Sequence, residues 1–406
     1  MFVKHREKRS PQSFRTPVYW RIDTSHCPGT EGNGFPKGNE SAVLFLSDSF
    51  FAYGCTMGGT SHLKSEMPCQ DYSDLCWIRA GGRLYLLSAI ADGVGSCACS
   101  HEGSSIAVRA ALDYCARFFS QMDGANDDAI LSLLRDSFRY AWRAVEQQAK
   151  ETGRLPFSFF TTLTLCVYDG DRGYIGHIGD DGVVALYRRD GRIALATRRD
   201  KGDTANSVVP LQAGEENWQF FATEECADGF LLATDGVLDS FVTSARYGTM
   251  VYEPFMTPYF FRPLWRRNDV ERALDQMLEF LNSTTFRRRV QDDITLLVMG
   301  NRKTLSGQTS PPFDVAEWDR IIRAVDRKTE AILNRKSVPD EMPRPFRGRK
   351  EPIDPWEQRD ADWERARTEG GTQRKRTGRE ALAARLAGIL IGLAWRLQAW
   401  RKGGAK

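Results

Sequence analysis

The chain has no cysteine pair spaced as CxxC, so the common zinc-ribbon and zinc-finger frameworks are excluded. Its nine cysteines are odd in number and irregular in spacing, which argues against a disulfide scaffold. Cys97 and Cys99 form a CxC, and small buried cysteines are the simpler reading of it. The N-terminus, MFVKHREKRS, is charged and no apolar h-region follows, so no secretion signal is read there and a reducing cytoplasm is expected. Long apolar runs are also missing. Leu386–Trp395 (LAGILIGLAW) is too short for a bilayer, which needs about 20 residues. What remains is the composition of a soluble globular protein, 41% hydrophobic and 27% charged over 406 residues, enough for one large domain with appendages.

The net charge of +3 hides an asymmetry. Residues 301–406 carry 24 Lys+Arg against 15 Asp+Glu, whereas residues 1–300 carry 32 against 38. The acidic part contains four short acidic stretches. They are Gln70-Asp71, Ala91-Asp92-Gly93-Val94-Gly95-Ser96, Thr234-Asp235-Gly236 and Asp292-Asp293-Ile294-Thr295. Most sit at the edge of a strand-like apolar run: Leu84–Ala91 leads to Asp92, Phe230–Thr234 to Asp235, and Ile294–Met299 follows Asp293. A lone Asp at a strand end is a turn residue. Several, two of them followed by Gly, suggest carboxylates converging on hard cations, with Gly admitting close backbone approach.

The pattern divides the chain into a basic, turn-rich arm (1–40), a candidate catalytic domain (41–300), a helix and Pro/Arg-rich linker (301–372) and a basic amphipathic C-terminal helix (373–406). Within the domain, Ala42–Tyr53 is strand-like and helical spacing covers Gly103–Met122. A second long helix is expected over Asn126–Thr152, with Asn126 as its N-cap and Gly153 just past its end. Strands then follow at Phe160–Tyr168, Gly173–Ile178, Val183–Arg188, Ile193–Thr197, Trp218–Ala222 and Gly229–Thr234, with a helix at Val270–Leu281. Sequential hairpins with inserted helices give an α+β class. Phe241–Trp265 is rich in aromatics and either covers the cleft, binds a partner, or folds as an excursion burying its own rings. A further amphipathic helix is expected from Phe313 to Asn334. The last helix, Glu380–Lys402, has three readings: packing on its own domain, docking on a partner protein, or lying on an anionic membrane surface.

Gln-Asp, Ala-Asp-Gly-x-Gly-Ser, Thr-Thr-Leu, Ile-Gly-Asp, Ala-Thr-Asp-Gly-Val and Asp-Asp-Ile-Thr, in that order, resemble the metal-dependent type 2C protein serine/threonine phosphatases, in particular their bacterial branch. The resemblance spans roughly Phe51 to Gly300. It implies two stacked antiparallel β-sheets flanked by α-helices. It also implies two Mn²⁺ or Mg²⁺ ions, with a third as an option, hydrolysis of phosphoserine and phosphothreonine by a metal-activated water, a phosphoprotein substrate and a cognate Ser/Thr kinase. By motif position Asp92 would bridge the metals and Gly93 would offer its carbonyl. Asp235 and Asp292 would complete one ion and Asp71 would support the other. Asp180 would join the third site or serve as a turn carboxylate. Asp293 would hydrogen-bond at the strand start, and Thr161-Thr162 would support the core beside the site.

Three departures from the family pattern stand out. Gln70 replaces a familiar acidic residue. No Arg precedes the first motif, which leaves His62 or Lys64 to hold the substrate phosphate. Val94 stands where many members have His, which leaves His62 as the candidate general acid, although a lone His is more often structural. The rival reading is a phosphatase-like module that binds phosphoprotein without turnover.

Overall fold

The computed structural model describes residues 18–22, 39–119, 121–122, 126–200, 208–245, 248–251 and 267–305, with positions 316, 320 and 323. All lie in one compact unit, Met1–Lys336. The N-terminal arm apart from 18–22 and 39–40, the Pro/Arg-rich linker, the C-terminal helix and almost all of Phe313–Asn334 fall outside the described residues. So does the aromatic stretch beyond Val251.

In chain order the elements begin with β1 (Val18–Ile22), β2 (Ser41–Leu46), β3 (Phe50–Met57), the short helix α1 (Thr60–Lys64), β4 (Tyr72–Ala80) and β5 (Arg83–Ala91). Two long helices follow, α2 (Ser100–Phe119) and α3 (Asp127–Thr152). Then come β6 (Leu163–Tyr168), β7 (Gly173–Ile178), β8 (Gly182–Tyr187), β9 (Ile193–Leu195), β10 (Gln219–Ala222) and β11 (Ala227–Ala233). The chain continues through α4 (Asp235–Phe241), β12 (Val242–Ala245), β13 (Gly248–Val251), α5 (Arg267–Asn282), α6 (Thr284–Arg287), β14 (Ile294–Asn301) and α7 (Arg302–Leu305). The strands form a seven-stranded sheet, β1-β2-β3-β14-β11-β8-β9, and a five-stranded sheet, β10-β7-β6-β5-β4. Every pairing is antiparallel.

Strand alternation explains the layering, because successive side chains point to opposite faces. From β3, Phe50 and Ala52 enter the core between the sheets with Leu86, Ile90, Cys166, Phe230 and Leu297. Phe51, Tyr53, Cys55 and Met57 face the other way and pack with Val270, Leu274 and Met277 of α5. From β5, Tyr85, Leu87, Ala89 and Ala91 pack with α2 and α3 through Val108, Leu112, Phe138 and Ala141. The result is a helix–sheet–sheet–helix sandwich, as expected. Helix α3 starts where Asn126 Oδ1 accepts the Ala129 N–H at 2.9 Å, and ends at Gly153 with φ 65°.

Two expectations are corrected, and strand β4 and a hairpin are added to the elements expected. Ala42–Tyr53 is not one strand: Ser47 Oγ accepts the Phe50 N–H at 2.9 Å and turns the chain between β2 and β3. Strand β4 had no sequence signal strong enough to mark it. The segment after Asp235 holds the hairpin of β12 and β13. Helix α2 begins at Ser100, three residues before the expected start. Among the described residues, no helix is long and apolar enough to cross a membrane.

Candidate active site

The carboxylates gather at one end of the sandwich because each sits at a strand terminus. Asp92 follows β5, Asp180 lies in the turn after β7, Asp235 opens α4 after β11, Asp71 precedes β4, and Asp292 precedes β14. Oxygens of Asp92, Asp180 and Asp235 lie within 4.8 Å of one another. A second group, His62, Asp292 and Asp293, meets the same spacing. Asp180, expected only at an optional third position, lies with Asp92 and Asp235, and Asp292 lies beside His62 while its charge also acts on Asp92 and Asp235.

The backbone of Asp92 is held on both sides by Thr161 and Thr162. Its carbonyl accepts the Thr161 hydroxyl at 2.9 Å and the Thr162 N–H at 2.8 Å. Its N–H donates to Thr162 Oγ1 at 2.7 Å. Val94 N–H donates to the Phe160 carbonyl, so pairing with this segment takes the groups on either side of Gly93 and not the Gly93 carbonyl. The turn carrying Asp180 requires Gly179, whose φ of 115° is closed to most side chains. A Cβ there would also meet the Thr162 methyl at 2.4 Å.

Asp71 is fully buried, and its Oδ2 accepts hydroxyls from Thr234 and Thr295, both at 2.8 Å. Thr295 Oγ1 also lies 3.1 Å from Thr56 Oγ1, which reaches Ser73 Oγ at 2.7 Å, so buried hydroxyls link the two sheets below the site. Gln70 offers backbone rather than side chain here: its N–H donates to Asp293 Oδ2 at 2.6 Å, and its carbonyl accepts from Gly93 N–H at 3.2 Å.

These charges crowd each other. Burial, with the charges of Asp71 and Asp235, holds the Asp92 carboxyl well above the usual range. Burial and the Asp180 and Asp292 charges push Asp235 up to about 7. Asp71 and Asp181 are raised chiefly by burial too, and Asp292 less so. Carboxylates that repel one another in a partly dry site are stabilised as a set by a divalent cation. The Asp92, Asp180 and Asp235 group contains only oxygen donors, the set preferred by Mg²⁺ and Mn²⁺. On this ground the residues present fit a hard cation.

His62 lies in α1, and its Nδ1 is 2.8 Å from Asp293 Oδ1. That hydrogen bond raises its pKa against the lowering effect of burial. Asp293 Oδ1 also accepts the Gly59 N–H at 2.6 Å, fixing the start of α1. Lys64, in the same helix, is exposed. Cys97 and Cys99 are buried free thiols. Two residues escaped sequence reasoning. Asp181 is completely buried and its Oδ2 accepts the Thr162 hydroxyl. Arg199 donates from Nε to the Asp180 carbonyl and from Nη1 to Asp239 Oδ1 at 2.6 Å. Asp181 stands directly after Asp180 in the sequence, where its neighbour alone drew a role. Arg199 had no signal, because only the fold returns it to Asp180.

Comparison with known proteins gives concordant results. A family profile described as protein phosphatase 2C matches residues 58–282. Serine/threonine-protein phosphatase 3 of Escherichia coli (strain K12) is 26% identical over 246 residues, covering 60% of this chain and 95% of its own length. Among solved structures, the catalytic domain of the serine threonine protein phosphatase PstP in complex with two manganese ions is 20% identical. It covers 62% of this chain and 98% of its own, at a TM-score of 0.43. PppA of Pseudomonas aeruginosa is 18% identical, with 62% and 97% coverage and a TM-score of 0.41.

Proposed function

The chain belongs to the protein phosphatase 2C family, and from that premise we propose that it is a Mn²⁺- or Mg²⁺-dependent phosphatase acting on phosphoserine and phosphothreonine in proteins. The observation that carries this reading is the approach of Asp92, Asp180 and Asp235 to within 4.8 Å from three separate elements. A domain that only bound phosphoprotein would have no need to hold three repelling carboxylates together. Asp92, Asp180 and Asp235 would hold one cation, and Asp71 and Asp292 stand beside them to support a second. Bound cations supply positive charge to the phosphoryl oxygens and lower the pKa of a water nucleophile.

The remaining work falls to side chains of this protein. As the water oxygen attacks phosphorus, the bond to the serine or threonine oxygen breaks and that oxygen needs a proton. We assign that proton to His62 Nε2, since Nδ1 is engaged by Asp293. Asp293 fixes the ring orientation and favours the protonated form. Lys64, the other candidate for holding the phosphate, is an exposed cation two positions further along the same helix. The test is hydrolysis of a phosphopeptide with and without Mn²⁺. We expect strict metal dependence, abolished in Asp92→Ala and Asp235→Ala. Wild-type protein that hydrolyses nothing under saturating Mn²⁺ is not a phosphatase.

A further inference from the structure

The three clustered carboxylates come from three elements, so their spacing depends on whatever ties those elements together. One polar network reaches all three. Asp92 N–H donates to Thr162 Oγ1 at 2.7 Å, and the Thr162 hydroxyl donates to Asp181 Oδ2. Asp181 follows Asp180 directly. Arg199 Nε donates to the Asp180 carbonyl, and its Nη1 donates to Asp239 Oδ1 at 2.6 Å. Asp239 lies about one turn after Asp235 in α4. The guanidinium therefore joins the turn that carries Asp180 to the helix that opens with Asp235.

The segment bearing Arg199 is itself fixed. Asp200 N–H donates to the Gly179 carbonyl at 2.8 Å. From the edge strand of the other sheet, Gln219 Nε2 donates to the Arg198 carbonyl at 2.7 Å and to Asp200 Oδ2 at 3.0 Å. Gln219 Oε1 accepts the Arg198 N–H at 3.3 Å. The Arg199 side chain is 12% exposed, and its Nη2 and Asp181 Oδ1 are both buried with no hydrogen-bond partner. The two orphans are a cationic donor and an acceptor, and the Arg199 charge acts on the Asp181 carboxyl. A guanidinium cannot shed its proton, so its burial here is sustained by the carboxylates around it.

We propose that Arg199 is a positioning residue that sets the spacing between Asp180 and Asp235, and thereby the affinity of the cluster for its divalent cation. The proposal rests on the metal-dependent reading above. Two effects of the residue oppose each other. Its positive charge alone repels a cation, so removing it by charge alone would tighten binding. Its geometry holds two ligands in register, so removing it would weaken binding. Lysine keeps the charge but cannot span both acceptors as a planar fork does.

The test is titration of the full-length protein with Mn²⁺, reading free ion by electron paramagnetic resonance, with no turnover involved. For Arg199→Lys we expect affinity roughly 10-fold weaker, the scale of losing a group that orients a ligand. Arg199→Gln should also bind more weakly despite its lost charge. In an Asp180→Asn background, Arg199→Lys should have no further effect, because the ligand it positions is already gone. Wild-type affinity in Arg199→Lys, tighter binding in Arg199→Gln, or full additivity with Asp180→Asn would each overturn the proposal. Should Arg199→Lys fail to fold by circular dichroism, Asp239→Asn takes its place. An effect of Asp239→Asn that persists undiminished in the Asp180→Asn background marks mere charge and overturns the proposal; one that vanishes there supports it. Wild-type protein that binds no Mn²⁺ overturns the metal reading, and the positioning role with it. Wild-type binding with unaltered variants overturns the positioning role alone.

Discussion

Asp293 serves three donors with two oxygens: Gly59 N–H, His62 Nδ1 and Gln70 N–H. It therefore joins the approach to the site, its proposed proton donor and the strand that follows Asp71. Its effect on His62 is to raise the imidazole pKa. Replacing His62 by Asn should lower kcat on a phosphopeptide by roughly 100-fold, the low end for loss of a general acid. An aryl phosphate, whose leaving oxygen needs no proton, should be nearly unaffected. Equal losses on both substrates would remove the proton-donor role. Asp293→Asn withdraws a negative charge from the imidazole, so the ring loses its proton at lower pH. The alkaline limb of the kcat–pH profile should move to lower pH, and an unmoved limb would mean that another group donates. The aspartates were legible as residues because several recur at the edges of apolar runs, two of them before Gly, in an order that resembles the family's motifs. Their grouping was not, since Asp180 and Asp235 are brought together across 55 positions by pairing of β8 with β11.

The short helix α1 is seated on the segment before β14 rather than on a core of its own. Ser61 N–H donates to the Gln291 carbonyl at 2.9 Å, and Gly59 lies against the Asp292 backbone. A Cβ at Gly59 would come within 2.3 Å of the Asp292 carbonyl carbon and oxygen. Gly59→Ala should therefore push α1 outward, costing about 1–3 kcal/mol of stability as overpacking does. It should also lower activity by displacing His62, and thermal unfolding with kinetics on the same sample would read both. Unchanged melting and turnover would mean that α1 adjusts freely. Elements bounded by turn residues were readable: Gly173–Ile178 forms a strand over the expected span, and Asn126 and Gly153 do bound a helix. Strand β4 was not readable, because it is a sheet edge whose partly exposed residues follow no clean alternation. The break between β2 and β3 is marked in the sequence by Ser47-Asp48-Ser49, a polar turn between two strands that are buried on both faces.

The whole molecule carries its acidic site as a destabilising feature. Asp235, whose pKa stands at about 7 against an ordinary value of 3.8, binds its proton more tightly when folded. Its contribution to stability is full below its unfolded pKa and is lost as pH rises to about 7. Without metal, the melting temperature should therefore fall between about pH 4 and 7, and Mn²⁺ should restore it most at the upper end, where the cation need displace fewer protons. At 100-fold excess over Kd the gain is about 2.7 kcal/mol. A metal-free melting temperature that rises steadily over this range would contradict the assigned crowding. The αββα order was legible from hairpin turns together with the motif resemblance, whereas the strand order was not, because no local signal says that β14 lies between β3 and β11. That placement has a consequence for synthesis. The middle of the larger sheet is left empty until residues 294–301 arrive, since Thr295 must reach back to Thr56 and Asp71. A chain emerging from the ribosome can pair β2 with β3 and β4 with β5, but it cannot join the two halves of the larger sheet. The domain therefore behaves as a vault whose keystone is cut last, and its carboxylates cannot take up an ion in their final arrangement before nearly 300 residues have been made.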